Sequence, residues 1–224
     1  MKVSILIPTF NREKFLEEAL KCVTQQMYKD IQIIIYDDGS VDGTQNMIQC
    51  FSSYCNIPIL YNRSDNNNGV AFARNRLLEL CNTEYACWWD SDDLCNIYRI
   101  QKQMRQIQRG FDVVFTAFRS FGSGSKHKAI PNCVSIPKKQ RTPYAFASML
   151  FKADKNIKFN EAKKFGGEDC AWSVMMQKNI KTKHIPEILY FVRYHSKRIG
   201  VVKNRIRRQD KSKTYAEVER RLCS

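Results

Sequence analysis

At 224 residues the chain is long enough for one large α/β domain with a substantial core, and too short for two domains of ordinary size. Its 37 Lys and Arg against 22 Asp and Glu give a formal net charge of +15, a surplus that implies an anionic partner: nucleotide phosphate, anionic lipid or nucleic acid. Nine cysteines, an odd number without a C-x-x-C pair, and three histidines away from any cysteine cluster argue against a disulfide framework and a zinc site. The thiols fit the reduced side chains of a cytoplasmic protein. The apolar run 3–7 does not pattern as a signal peptide, because Pro8, Asn11, Arg12 and Glu13 cut it short. No stretch approaches the ~18–20 apolar residues of a membrane span.

In chain order, residues 3–7 predict a buried strand ended by Pro8, and 13–26 a helix with Phe15, Leu16, Ala19, Leu20 and Val23 at helical spacing. A β-branched strand follows at 31–36, and Asp42 is placed to cap a helix running to about 54. Residues 57–61 predict a third strand, 70–80 a helix, 85–89 a fourth strand, 97–108 a helix and 113–118 a strand. The alternation predicts an α/β domain with a mostly parallel sheet covered by helices on both faces. The second half is less regular. Short strands are expected at 133–136 and 149–152, a helix over 168–178, and two strands at 182–185 and 188–192.

Ligands of open α/β sheets bind outside the carboxyl ends of the strands, and the residues suited to chemistry fall there. The first strand ends in Pro8-Thr9-Phe10-Asn11, where a dinucleotide-binding dehydrogenase would carry G-x-G-x-x-G. The second ends in Asp37-Asp38-Gly39-Ser40, either an acceptor pair for ribose or base N–H groups or a helix-capping turn. The third leads to Asn68-Gly69 and Ala73-Arg74-Asn75, with Arg74 expected within reach of a phosphate or of Asp90 and Asp92. The fourth ends in Asp90-Ser91-Asp92-Asp93. Three carboxylates after a buried strand are costly without a cation, and Mg²⁺ or Mn²⁺ with a diphosphate fits. Gly166-Gly167-Glu168-Asp169 brings two more carboxylates to a helix start, as a cap or as a general base at a cleft rim.

Each motif alone is a weak signal. Together, in this order and spacing, Ser4-Ile5-Leu6-Ile7-Pro8-Thr9-Phe10-Asn11-Arg12, Asp37-Asp38-Gly39-Ser40, Asn68-Gly69 with Ala73-Arg74-Asn75, Trp89-Asp90-Ser91-Asp92-Asp93 and Gly166-Gly167-Glu168-Asp169 resemble family 2 glycosyltransferases of the GT-A fold. The resemblance covers about residues 1–195. It implies a single GT-A-type domain over 1–196, with a nucleotide-binding half (1–95) and an acceptor or catalytic half with a small mixed-strand part (96–196). A basic tail occupies 197–224.

The resemblance further implies that Pro8, Thr9 and Phe10 line a base pocket, and that Asp38 holds uracil or ribose with Asn68, Gly69 and Arg74 nearby. Asp90 would face ribose and metal, and Asp92 would ligate the Mn²⁺ or Mg²⁺ that holds the diphosphate. Asp169 would be the catalytic base with Glu168 beside it. His195, in a segment like Y-R-x-H-x-x-S, would reach the metal or diphosphate; Arg198 stands there in place of the usual small hydroxyl residue. The implied reaction is an inverting transfer from a nucleotide sugar, a UDP-sugar first, to a glycan or lipid-linked acceptor. A sugar-1-phosphate nucleotidyltransferase would need a Gly-rich basic loop after the first strand. A nucleic-acid-binding module would interleave aromatics with its Lys and Arg. Neither pattern is here, so nucleic acid is not the expected partner. Residues 197–213 hold eight Lys and Arg interspersed with Ile199, Val201, Val202 and Ile206, which predicts peripheral contact with an anionic membrane surface.

Overall fold

The computed structural model describes residues 1–122, 146–161 and 180–195. Eight strands form one sheet: β1 (Val3–Thr9), β2 (Ile31–Asp37), β3 (Ile59–Arg63), β4 (Tyr85–Trp88), β5 (Leu94–Cys95), β6 (Val113–Gly122), β7 (Leu150–Lys152) and β8 (Thr182–Tyr194). Among the described residues, four α-helices accompany them: α1 (Glu13–Thr24), α2 (Thr44–Tyr54), α3 (Val70–Leu80) and α4 (Arg99–Ile107). The strand order is β3-β2-β1-β4-β7-β6-β8-β5. β3, β2, β1 and β4 run parallel; β7 enters antiparallel to both β4 and β6, and β6 pairs parallel with β8.

Alternating side chains of the central strands feed two cores, as a period of two on a doubly covered sheet requires. Val3, Ile5, Ile7, Ile31, Ile33 and Ile35 pack with α1, α2 and α4. Leu6, Ile34, Tyr36, Ala86 and Trp88 pack with α3 and with Phe146, Phe151 and Phe159. The expected GT-A-like layering is present.

The differences from expectation are local and have physical reasons. β1 runs through Pro8 to Thr9. The Thr9 carbonyl accepts from Asp38 N–H on the β2 side, so the Pro8 nitrogen faces the other side, where the β1–β4 ladder has already ended at Leu6↔Trp88. The missing donor costs nothing there. β5 is a two-residue strand that periodicity could not reveal. The two strands expected at 182–185 and 188–192 are one, β8. Its register against β6 jumps from Thr116↔Ile185 to Ala117↔Ile188, so Pro186 and Glu187 lie in a bulge. The strand expected at 133–136, the helix expected over 168–178 and the basic tail lie outside the described residues.

Candidate functional site

The carboxyl ends of β1, β2 and β4 meet in three turns that are bonded to one another. Asn11, in the left-handed region at φ 51°, donates its N–H to Ser40 Oγ at 2.8 Å, and its Oδ1 accepts from Val41 N–H at 2.9 Å. Arg12 N–H donates to Thr44 Oγ1 at 3.0 Å. Gly39 has φ 78°, and a Cβ there would stand 2.7 Å from the Asn66 carbonyl carbon, so only glycine lets the second turn approach the loop before α3.

The acidic pair after β2 is spent largely on this architecture. Asp37 is fully buried and accepts from Ser40 N–H (2.9 Å) and from the Tyr61 hydroxyl (3.1 Å), with Arg63 Nε at 3.7 Å. Burial, reinforced by Asp37, pushes the Tyr61 phenol far above its usual range. Asp38, expected at a uracil or ribose, accepts from Gly69 N–H (2.7 Å), Asn68 N–H (3.0 Å) and Ser64 Oγ (3.2 Å). Asn68 and Gly69 are therefore brought to Asp38, as expected, but by main-chain bonds that shape the loop. Burial raises the Asp38 carboxyl, opposed by those N–H donors. Thr9, at the end of β1, is buried, and its Oγ1 finds no hydrogen-bond partner among the described residues. Pro8 is buried beside it and Phe10 is half-buried.

The turn after β4 carries Asp90, Asp92 and Asp93. Asp92 Oδ2 lies 2.8 Å from His195 Nε2 and 3.5 Å from Arg12 Nε, so two sequence-distant residues converge on it. The His195 ring packs on Phe15 at 4.5 Å between centroids, and its buried Nδ1 has no hydrogen-bond partner among the described residues. Asp90 Oδ1 lies 3.4 Å from Arg74 Nη2. Arg74 is thus within reach of Asp90, as expected, and it is 6% exposed, over the rings of Phe146 (4.6 Å), Phe159 (5.6 Å) and Trp88 (5.7 Å). From among these rings it reaches Asp90.

Sequence reasoning missed four residues that build the site. Arg12, at the end of the Pro-Thr-Phe-Asn-Arg run, faces Asp92. Arg193 donates its N–H to Asp93 Oδ1 (2.7 Å) and its Nε–H to the Asp92 carbonyl (2.8 Å), and pairs with Glu18 at 2.6 Å. The Tyr190 hydroxyl accepts the Asp90 N–H at 3.2 Å. Arg99 is fully buried under the turn, stacked on Tyr190 (4.9 Å) and Trp89 (5.2 Å), donating to the carbonyls of Trp88 and Ala147 at 3.0 Å each. The only advance signal for Arg193 was its place two residues before His195; Arg99 gave none.

Among the described residues no group of three or more His, Cys, Asp or Glu converges on a point that could hold a metal ion. Asp92 and His195 do converge as a pair, a carboxylate oxygen beside an imidazole nitrogen. That donor set suits Mn²⁺, and Mg²⁺ commonly takes one or two protein carboxylates and completes its shell with substrate phosphates and water. The residues present thus fit a two-donor site. Glu168 and Asp169 lie outside the described residues.

A parallel α/β sheet extended by antiparallel strands, with acidic turns gathered at its carboxyl edge, defines a GT-A-type transferase domain. Residues 4–182 match the model of "Glycosyl transferase family 2". The chain belongs to that family. It is 27% identical over 217 residues to the GalNAc(5)-diNAcBac-PP-undecaprenol beta-1,3-glucosyltransferase of Campylobacter jejuni, covering 92% of this chain and 70% of that protein. It is 30% identical over 118 residues to the putative teichuronic acid biosynthesis glycosyltransferase TuaG of Bacillus subtilis, covering 52% of this chain and 46% of that protein. The chain therefore spans less than half of the second relative. Among solved structures, S. aureus TarS 1–349 in complex with UDP superposes with a TM-score of 0.72 at 20% identity, over 88% of this chain and 61% of that one. The mannosyltransferase PcManGT of Pyrobaculum calidifontis, in complex with GDP-Man and Mn²⁺, superposes at 0.68 and 16% identity, over 92% of this chain and 60% of that one. At these identities the two structures speak to the fold.

Proposed function

We propose that the chain moves a sugar from a nucleotide-diphosphate donor, a UDP-sugar first, to an acceptor hydroxyl with inversion at the anomeric carbon. The observation that carries this reading is the convergence of Asp92, His195 and Arg12 at the carboxyl edge of β4, within 3.5 Å of one carboxylate oxygen. Such an edge is where open α/β sheets take their ligands. The UDP complex of TarS and the GDP-Man and Mn²⁺ complex of PcManGT support the donor class.

Asp92 and His195 would hold Mn²⁺ or Mg²⁺, with Asp90 facing the ribose side. Neutralising the leaving diphosphate is the chemistry that a bound divalent ion supplies. Thr9 offers a buried hydroxyl to the nucleoside, between Pro8 and Phe10. Asp38 acts on the donor by setting the main chain of Asn68 and Gly69, and Arg74 by orienting Asp90. By motif, Asp169 accepts the proton of the attacking acceptor hydroxyl as the new C–O bond forms, with Glu168 beside it. A carboxylate is a weak base for an alcohol, so proton transfer comes late.

The name of the Campylobacter relative supports a lipid-linked glycan as the acceptor class. We assign the catalytic domain to 1–196 and peripheral attachment to anionic membrane to 197–213, in a cytoplasmic setting. Among the described residues no helix is long and apolar enough to cross a membrane. The test is hydrolysis and transfer with a panel of nucleotide sugars and Mn²⁺, with and without EDTA. Asp169→Asn should retain UDP affinity and lower kcat by roughly two to four decades. If no nucleoside diphosphate binds in the presence of metal, the reading fails.

A further inference from the structure

Asn75 is 2% exposed and makes three long-range hydrogen bonds, all to segment 159–161. Its Oδ1 accepts the main-chain N–H of Phe159 at 2.7 Å. Its Nδ2 donates to the Phe159 carbonyl at 3.1 Å and to Glu161 Oε1 at 2.6 Å. One side-chain amide thus meets both polar groups of the Phe159 backbone, as a neighbouring strand would. The residue before it holds the same place by other means: the Arg74 guanidinium lies 5.6 Å from the Phe159 ring and 4.6 Å from that of Phe146, while its Nη2 reaches Asp90. Phe159 is therefore gripped by its backbone and by its ring from two consecutive residues of α3.

We propose that Asn75 is a positioning residue, which with Arg74 forms a clasp fixing segment 159–161 against the acidic turn. The physical basis is rigidity. A buried amide with both donors and its oxygen engaged favours one geometry, and small displacements break several bonds together. α3 starts at the Asn68-Gly69 loop that Asp38 holds, so the donor side of the sheet and segment 159–161 share one rigid helix. In sequence that segment continues into Gly166-Gly167-Glu168-Asp169. The clasp thereby fixes residues 159–161 relative to Asp90, and rate, more than donor affinity, depends on it. The consequence for turnover rests on the function proposed above; the clasp itself does not.

Asn75→Asp tests it. The substitution keeps the acceptor for Phe159 N–H but sets a carboxylate against the Phe159 carbonyl and the Glu161 carboxylate. Adding Glu161→Gln to that chain returns a donor opposite the new acceptor. Glu161→Ala is the mild variant, since it removes a single contact from an exposed residue and leaves the backbone bonds in place. Three measurements are made on the full chain: amide hydrogen exchange over 146–161, UDP affinity by calorimetry with Mn²⁺, and kcat and KM for the donor that the panel identifies. Asn75→Asp is expected to speed exchange at 159–161 about tenfold or more, the signature of a local opening. It should lower kcat about tenfold while UDP Kd and donor KM stay within about threefold, the split expected when orientation and not ground-state binding is lost. Glu161→Gln should recover much of both effects, and Glu161→Ala should show the same pattern at about threefold.

UDP Kd rising in step with the fall in kcat would overturn the proposal in favour of direct donor contact by Asn75. Faster exchange with unchanged kcat would leave Asn75 a purely structural residue, and unchanged exchange would remove the clasp altogether. If wild type binds no nucleoside diphosphate, the function proposed above fails by itself, and the exchange arm still decides whether the clasp exists.

Discussion

Arg193 donates its Nε–H to the main-chain carbonyl of Asp92 at 2.8 Å, so the residue two positions before His195 holds the turn whose carboxylate His195 faces. The same guanidinium lies between the rings of Phe121 (4.7 Å) and Phe15 (5.3 Å) and pairs with Glu18 on α1. The end of β8 is thereby built into the acidic turn, and a strand that starts on the far side of the sheet becomes part of the site.

Arg193→Ala should lower stability by about 1–3 kcal/mol, the range for removing a charge-assisted hydrogen bond to a poorly exposed acceptor. Because the Asp92 backbone is released, UDP affinity with Mn²⁺ should fall about tenfold or more. Arg193→Lys, which keeps charge but loses the fork, should fall between the two. Urea unfolding and calorimetric titration read the two effects. Full affinity in Arg193→Ala would show that the turn holds its pose without the clamp.

Asp92→Ala should abolish metal-dependent UDP binding and leave the fold intact, since the carboxylate is shared by Arg12 and His195 and not packed in the apolar core. Calorimetry with and without Mn²⁺ checks it against the circular dichroism spectrum. Unchanged affinity would remove Asp92 from any metal site.

Arg99→Leu should be far more damaging to the fold than its distance from solvent chemistry suggests. It leaves the Trp88 and Ala147 carbonyls and Gln103 Oε1 without their donor. At about 1–3 kcal/mol for each buried group left unbonded, the loss should reach roughly 3 kcal/mol or more. Lys102→Ala, three residues on, breaks a pair with Glu187 that lies at the surface and should cost less than about 1 kcal/mol. Equal midpoints for the two variants in urea would contradict the burial argument.

Cys87 is completely buried, and burial pushes its thiol from 9.0 up to about 11. A raised acid binds its proton more tightly in the folded state, so its contribution is present in full below pH 9 and is lost as the pH rises from 9 through about 11. The loss amounts to about 2–3 kcal/mol, and chemical denaturation between pH 8 and 11 should register it. Among the described cysteines of native protein at pH 8, iodoacetamide should modify exposed Cys50 first and leave Cys87 untouched until unfolding. Early labelling of Cys87 would contradict its burial.

The sequence by itself determined the layered α/β plan, the helix over Val70–Leu80 to the residue, and the strand ends at which Thr9, Asp38, Asp90 and Asp92 stand. These are local or periodic properties: alternation of apolar side chains, capping residues, and acidic turns after buried runs, all written in neighbouring positions. It also placed His195 near the acidic turn of Asp90 and Asp92, through resemblance. What Asp38 bonds to, and which rings Arg74 lies over, were decided only by the tertiary structure. The Asp38 carboxylate is turned to the N–H groups of Asn68 and Gly69, and the Arg74 guanidinium is drawn under Phe146 and Phe159, because each buried polar group takes the partner that the fold brings within reach. Arg99 and Asn75 were illegible for the same reason, and Arg193 was marked only by its nearness to His195. Their partners lie on other elements, such as Trp88 and Ala147 for Arg99 and Phe159 for Asn75, and hydrogen bonds between distant positions leave no period and no spacing in the chain.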